Sequence, residues 1–505
     1  MIVKEFDKEL VKGKITENLF YFLKYYKKAA EGRKSKLIDL FNNQLENYDD
    51  ENAFQNIGVL LTALAPMRGK IENTKNVVSK QSRIPLYIRE TSPEFWNLYE
   101  QYESFFMEEI QKDPLLLLDF SFLLDFPEIV SFKIRSSFFR KKMKMRIDND
   151  NFTYLMIDRD NILETSFTEI QNLSLDELLN TIQIQFIDEP VQDLGGGRRE
   201  WFELLIKELF KKENNLFECS KKSKNYQPNH LSSINPNHLD YFTFAGKIIA
   251  RILIEGQCID AHLTKSFYKQ ILHIDPNFED LEDFDSELYQ GLEWMLHNDV
   301  NSLDKVFAID VNTLEKVETI PLKENGENIE VTNDNKKEYI NLHSDFVLKK
   351  QIKDQLNAFI NGFNSLIHPD EIRFFNQNEL DLLLCGIPKI DVDDFRANTV
   401  FEHPYTADSP VVNMFFNVIS KWDNDELAKL LMFMTGSSRV PANGFKEFCE
   451  MTHFPLKIDS GGDRSLLPQS HTCFNILHLP QYETEEEMNE KLHQAIQYCD
   501  TFGLI

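Results

Sequence analysis

The run Leu467-Pro468-Gln469-Ser470-His471-Thr472-Cys473-Phe474-Asn475 puts one cysteine inside a polar loop. A thiol that merely fills a core sits among apolar neighbours at helical or strand spacing, whereas Cys473 follows a proline, a serine, a histidine and a threonine. Such a setting suits a nucleophile. The thiolate is the attacking form, and either His471 or a turn of unpaired backbone N–H groups would draw the thiol pKa towards neutrality. A partly buried, inert loop thiol is the plain alternative. None of the other five cysteines, at 219, 258, 385, 449 and 499, joins a polar loop to a neighbouring histidine. Cys385 lies in an apolar run, and Cys499 shares a helical face with Met488, Leu492 and Ala495. No two cysteines are closely paired, so neither a disulfide framework nor a zinc site is expected, and a reducing compartment follows.

The elements that must hold such a loop are legible in part. Thr484-x-x-Glu487 fits a capping box, which starts a helix just after the cysteine loop, with the acids Glu485 to Glu487 suited to its N-terminus. Further upstream, Leu288, Leu292 and Met295 recur at i, i+4, i+7 and share one helical face. Tyr241 to Arg251 is apolar enough for a buried helix. Asn325-Gly326 is a strong hairpin signal, and Gly195-Gly196-Gly197 opens a helix at Arg198-Arg199-Glu200-Trp201. A phosphate loop is rejected there, because neither dinucleotide nor P-loop glycine spacing is present. Ile15, Leu19, Phe22, Leu23 and Tyr26, then Leu37, Phe41 and Leu45, and later Trp96, Tyr99, Tyr102 and Phe106, make the first part of the chain helical in pattern. At 505 residues two or more domains are expected. The charge, 55 basic against 82 acidic residues for a net of −27, disfavours nucleic acid and anionic membranes as partners. With 41 phenylalanines and 42% hydrophobic residues the chain is expected to fold. The charged start at Met1 lacks a signal peptide, and Leu115 to Phe126, broken by Asp119 and Asp125, is too short to span a bilayer. The expectation is a soluble protein of the cytoplasm, with the nucleus also open.

Three stretches in order resemble the HECT ubiquitin-protein ligases. Leu467-Pro-x-Ser-His-Thr-Cys-Phe-Asn475 with Leu479-Pro480-x-Tyr482 is similar to the catalytic loop of that family. Met434-Thr-Gly-Ser-Ser-Arg-Val-Pro441 with Gly444-Phe445 resembles its second C-lobe signature, and Thr501-Phe502-Gly503-Leu504-Ile505 resembles its aromatic-glycine ending. From about Phe126 onward further segments fit, among them Asp193 to Phe202, Ser266 to Lys269, Leu322 to Ile329 and Glu379 to Gly386.

The resemblance implies an α+β, bilobal fold. A mostly helical N-lobe over 126–385, with a small projecting α/β subdomain at about 275–335, is followed by a hinge at Gly386, Ile387 and Pro388 and a smaller α/β C-lobe over 389–505. Residues 1–125 form a helical region of unassigned role. It implies ubiquitin, a ubiquitin-conjugating enzyme and protein substrates as partners, and no cofactor or metal. Cys473 would carry ubiquitin as a thioester, supported by His471, Thr472 and Asn475, by Phe502, and by Arg439, for which a structural salt bridge is an equal alternative. Leu288, Leu292, Met295 and Val306 would form a groove for the conjugating enzyme, the alternative being a face packed inward. The chain departs from many relatives in ending on Ile505 instead of an acid, which leaves the base for the incoming amine open. Two rival readings remain: a lobed scaffold without turnover, and a cysteine hydrolase, which would need a distant histidine signature that the sequence does not offer around His230, His262 or His403.

Overall fold

The computed structural model describes residues 129–189 and 196–497, together with 107, 110–118 and 124. The apolar stripes between Ile15 and Phe106, and Cys499 and Phe502 at the other end, lie outside the described residues. From Lys142 onward the chain forms one compact unit. Of the other unit, the described part holds a 3-10 turn at Pro114–Leu118, with Leu116 and Leu117 buried, and the start of helix α1 (Phe132–Lys144), which runs across the division.

The fold is α+β: helices dominate, and the strands gather in small separate sheets. Strands β1 (Asp148–Ile157) and β2 (Asn180–Phe186) pair in parallel, in register from Phe152↔Thr181 to Ile157↔Phe186. Alternation sends Thr153, Leu155 and Ile157 inward and leaves Phe152, Tyr154 and Met156 exposed. Helix α2 (Gly196–Leu209) begins within the glycine triplet, ahead of the start expected at Arg198, and buries Trp201, Phe202, Leu205 and Leu209. Helix α3 (His238–Glu255) is the buried helix expected from its apolar run.

Helix α4 (Ser286–His297) belongs to a satellite core of its own, built from Leu281, Leu292, Met295, Val300, Phe307, Leu322, Tyr339 and Ile340. The hairpin of this region is β3 (Ala308–Asn312) with β4 (Val317–Pro321), turned by Thr313–Lys316. The Asn-Gly signal falls elsewhere: Asn325 is left-handed and leads into a 3-10 turn at Gly326–Asn328, because Gly326 passes so close to the Phe307 carbonyl that a Cβ would sit 2.2 Å from it. Tertiary approach, and not hairpin formation, accounts for that glycine.

Helix α5 (Lys353–Leu366) packs along α3, and α6 (Gln377–Cys385) ends at Gly386, whose φ of 71° lets the chain reverse. Ile387 N–H then donates to the Val440 carbonyl at 2.9 Å. The last 110 or so residues enclose a second large core, running from Ile390 to Ile496. Its sheet comprises β5 (Thr399–Phe401) and, beyond helices α7 (Asn424–Thr435) and α8 (Phe445–Thr452), β6 (Leu456–Ser460), β7 (Gln469–His471) and β8 (Ile476–Leu479). The order is β5-β6-β8-β7, parallel except for β8 against β7. Helix α9 (Glu485–Gln497) closes it: Thr484 Oγ1 accepts from Glu487 N–H at 3.2 Å, and Met488, Leu492 and Ala495 are buried, as their spacing predicts. No helix among the described residues is long and apolar enough to cross a membrane.

Candidate active site

Cys473 is the middle residue of a 3-10 turn, Thr472–Phe474, that joins the antiparallel strands β7 and β8. Asn475 closes the turn in the left-handed region (φ 55°), a conformation that asparagine tolerates better than most side chains. It is 0% exposed, and its Nδ2 donates to Thr452 Oγ1 at 2.9 Å and to the Phe454 carbonyl at 3.0 Å. Both amide hydrogens are thereby engaged, so Asn475 anchors the turn to the end of α8 and has no proton left for a thioester carbonyl. Phe474 is partly exposed and meets Phe454 edge to face.

His471 does not polarise the thiol in this arrangement. It would share a side with Cys473 only along extended backbone, and the 3-10 turn begins directly after it. Its exposed ring instead meets His478 edge-on at 4.8 Å, and His478 Nδ1 is paired with Asp459. Among the described residues no hydrogen bond reaches the Cys473 sulfur.

What does reach the turn is helix α2. The Thr472 carbonyl accepts from Arg199 Nη2, and Gly196 lies so near that a Cβ there would be 2.8 Å from Cys473 Sγ and 2.6 Å from Thr472 Oγ1. Arg199 and Gly196 carry a sequence signal, the glycine triplet with its Arg-Glu, which reads as a helix start and does not disclose the cysteine turn beside it. One turn further along α2, buried Glu203 accepts from Ser438 Oγ at 2.9 Å, and burial pushes its carboxyl pKa up. Arg439, next in sequence to Ser438, pairs with Asp260. The structural salt bridge left open for Arg439 is therefore formed, while the side chain still borders the same cleft as Cys473.

That cleft has a volume of about 230 Å³. Its walls carry Lys144, Arg198, Arg199, Arg251 and Arg439 against a single acid, Glu255. Arg251 is fully buried and donates to the Leu178 and Asn180 carbonyls and to Glu255, which also pairs with Arg198 at 2.8 Å. In a chain of net charge −27, the nucleophile thus faces a cationic wall. Positive charge there favours the oxyanion that forms when a thioester is attacked.

The proposed partner groove is distributed differently from its sequence reading. Leu292 and Met295 are each 3% exposed and belong to the satellite core, so their shared face is packed inward. Leu288 and Val306 are half-buried and remain available at the rim. The outward face of α4 carries Trp294, 49% exposed, beside Gly291, around which a Cβ would meet nothing within 4 Å. Trp294 escapes a periodicity argument because it falls between the apolar positions.

Among the described residues one further cluster has metal-ligating side chains: His262, Asp381 and Cys385, whose ligand atoms lie within 4.8 Å of one another. Asp381 Oδ1 accepts from Tyr268 Oη and pairs with His262 Nδ1, both at 2.8 Å, and burial holds the Cys385 thiol well above its usual pKa. A protonated, buried thiol is a poor ligand, and the group reads as a hydrogen-bonded network under the α6 terminus.

Comparison with known proteins agrees with this architecture. The family profile described as HECT-domain (ubiquitin-transferase) matches residues 203–505. The chain is 36% identical over 81% of its length to an E3 ubiquitin-protein ligase, TOM1-like, of Neurospora crassa, of which it covers 10%. It is 39% identical over 69% of its length to the E3 ubiquitin-protein ligase pub3 of Schizosaccharomyces pombe, covering 44% of it, and 37% identical over 76% to HUWE1 of Mus musculus, covering 9%. It therefore spans about a tenth of the first of these relatives. The chain belongs to the HECT-domain family.

Proposed function

We propose that the chain is a HECT-type ubiquitin transferase, which accepts ubiquitin from a conjugating enzyme as a thioester on Cys473 and passes it to a lysine amine. The observation that carries this reading is the Cys473 turn itself, held by Arg199 and Asn475 at the edge of a cationic cleft. In the first step the Cys473 thiolate attacks the thioester carbonyl on the conjugating enzyme, a new S–C bond forms, and the enzyme's own cysteine leaves as thiolate. Sulfur replaces sulfur, so the exchange needs no ATP or metal. In the second, an amine attacks and Cys473 is released. Bringing the two sulfurs together is a problem of proximity, which lobes at 126–385 and 389–505 joined through Gly386, Ile387 and Pro388 would serve. The satellite core around α4 is the surface we assign to the conjugating enzyme, with Leu288 and Val306 at its rim.

The test is a non-reducing gel of the protein mixed with ubiquitin-loaded conjugating enzyme, beside Cys473→Ala. A reducible ubiquitin adduct on the wild type alone supports the relay. If several conjugating enzymes leave no adduct while free ubiquitin still binds, the chain is a scaffold and not a transferase.

A further inference from the structure

The cleft beside Cys473 already contains an amine. Lys144, the last residue of α1, and His453, which ends α8 in the left-handed conformation (φ 63°), both line it, and Lys144 Nζ lies 2.6 Å from His453 Nε2. At that separation the two nitrogens share one proton, because two protonated groups would repel. Among the described residues no carboxylate forms an ion pair with Lys144, whereas Arg198 and Arg251 are paired with Glu255 and Arg439 with Asp260. Both residues are exposed overall, so the pair is accessible at the cleft mouth. Loss of water around Lys144 Nζ lowers its pKa, opposed in part by Glu255; the same loss, and the Lys144 charge, lower that of His453. A neutral imidazole and an amine that parts with its proton more readily than usual thus stand on the wall that Cys473 also borders.

We propose that Lys144 is a modification site, the acceptor of an intramolecular transfer from Cys473, with His453 taking the proton from its ammonium. This rests on the reading of Cys473 as the thioester-bearing residue. Of the three ammonium protons, one passes to His453 Nε2 and on to solvent. Neutral Nζ then attacks the thioester carbonyl carbon, a C–N bond forms, the C–S bond breaks, and its electron pair leaves on Cys473 sulfur. A second proton moves from nitrogen to that sulfur, and the third stays on the amide nitrogen. No oxidant, nucleotide or metal enters the balance.

The experiment loads the full chain with ubiquitin in a single turnover, removes the conjugating enzyme, adds no substrate, and follows both the Cys473 thioester and the Gly-Gly remnant on each lysine by mass spectrometry. The expected result is a Lys144 remnant that appears as the thioester decays, at a first-order rate independent of protein concentration. Lys144→Arg keeps the charge but removes this product. His453→Asn, which suits the left-handed backbone, slows its formation by about tenfold or more. A thioester that forms and decays without a Lys144 remnant, or a remnant whose rate rises with protein concentration, overturns the proposal. Absence of any thioester would instead overturn the reading of Cys473.

Discussion

The Cys473 turn is marked in the sequence by residue chemistry and helix α4 by hydrophobic period, and the two teach opposite lessons. The turn carries a thiol in a polar loop, and the structure sets that thiol half-buried on a cleft with α2 against it. Helix α4 carries the periodic stripe Leu288, Leu292, Met295, which is largely the lining of a core. Periodicity reports which face is dry. It does not distinguish a face dried by its own subdomain from one waiting for a partner.

The sharpest test of the contrast is Cys473→Ala, expected to abolish the thioester adduct completely on the gel described above while leaving thermal stability unchanged. Next comes Gly196→Ala. Alanine is a better helix former than glycine, so α2 itself gains, yet the added methyl must displace Cys473 or Thr472. We expect thioester formation to slow by about 100-fold with little loss of Tm, since small misplacements at a reacting centre have effects of that order. A normal rate would mean that α2 merely passes near the turn.

On the other side of the comparison, Leu292→Ala and Trp294→Ala should separate core from surface. Leu292→Ala leaves a cavity in the satellite core and should cost about 2–4 kcal/mol in denaturant unfolding. Trp294→Ala should stay within about 0.5 kcal/mol, as exposed substitutions do, while weakening capture of the conjugating enzyme in a pull-down. If Leu292→Ala were neutral in stability and blocked capture, the face would be a groove after all. The last test concerns pH. His343, beside Tyr339 of the same core, has its pKa lowered to about 4 by burial and then by the Lys305 charge. A depressed histidine pKa means that the unfolded chain binds a proton the folded one refuses between about pH 6.5 and 4. Stability should therefore fall as pH drops through that window, by about 3 kcal/mol at most, and His343→Leu should flatten the slope in a pH series of melts.

Much of the site's chemistry was legible from sequence because it is local. The polar loop, the Thr484 to Glu487 cap and the buried face of α9 each lie within a few residues, and the structure contains them. His471 and Asn475 were legible as neighbours of the thiol but not as to direction. A single 3-10 turn rotates one towards His478 and the other towards Thr452. Asn325-Gly326 failed for a similar reason, its glycine being demanded by the carbonyl of Phe307, the residue just before β3.

The sequence by itself determined the fold class, the nucleophile candidate and the family, because each depends on residue type, short-range period or ordered motifs. Only the tertiary structure decided what surrounds the sulfur. Lys144, Arg199 and Cys473 are separated by up to about 330 residues in the chain yet border one small cleft, and Gly196 lies against the thiol. No local pattern encodes that meeting, since it follows from the packing of elements whose own sequences are satisfied without reference to one another.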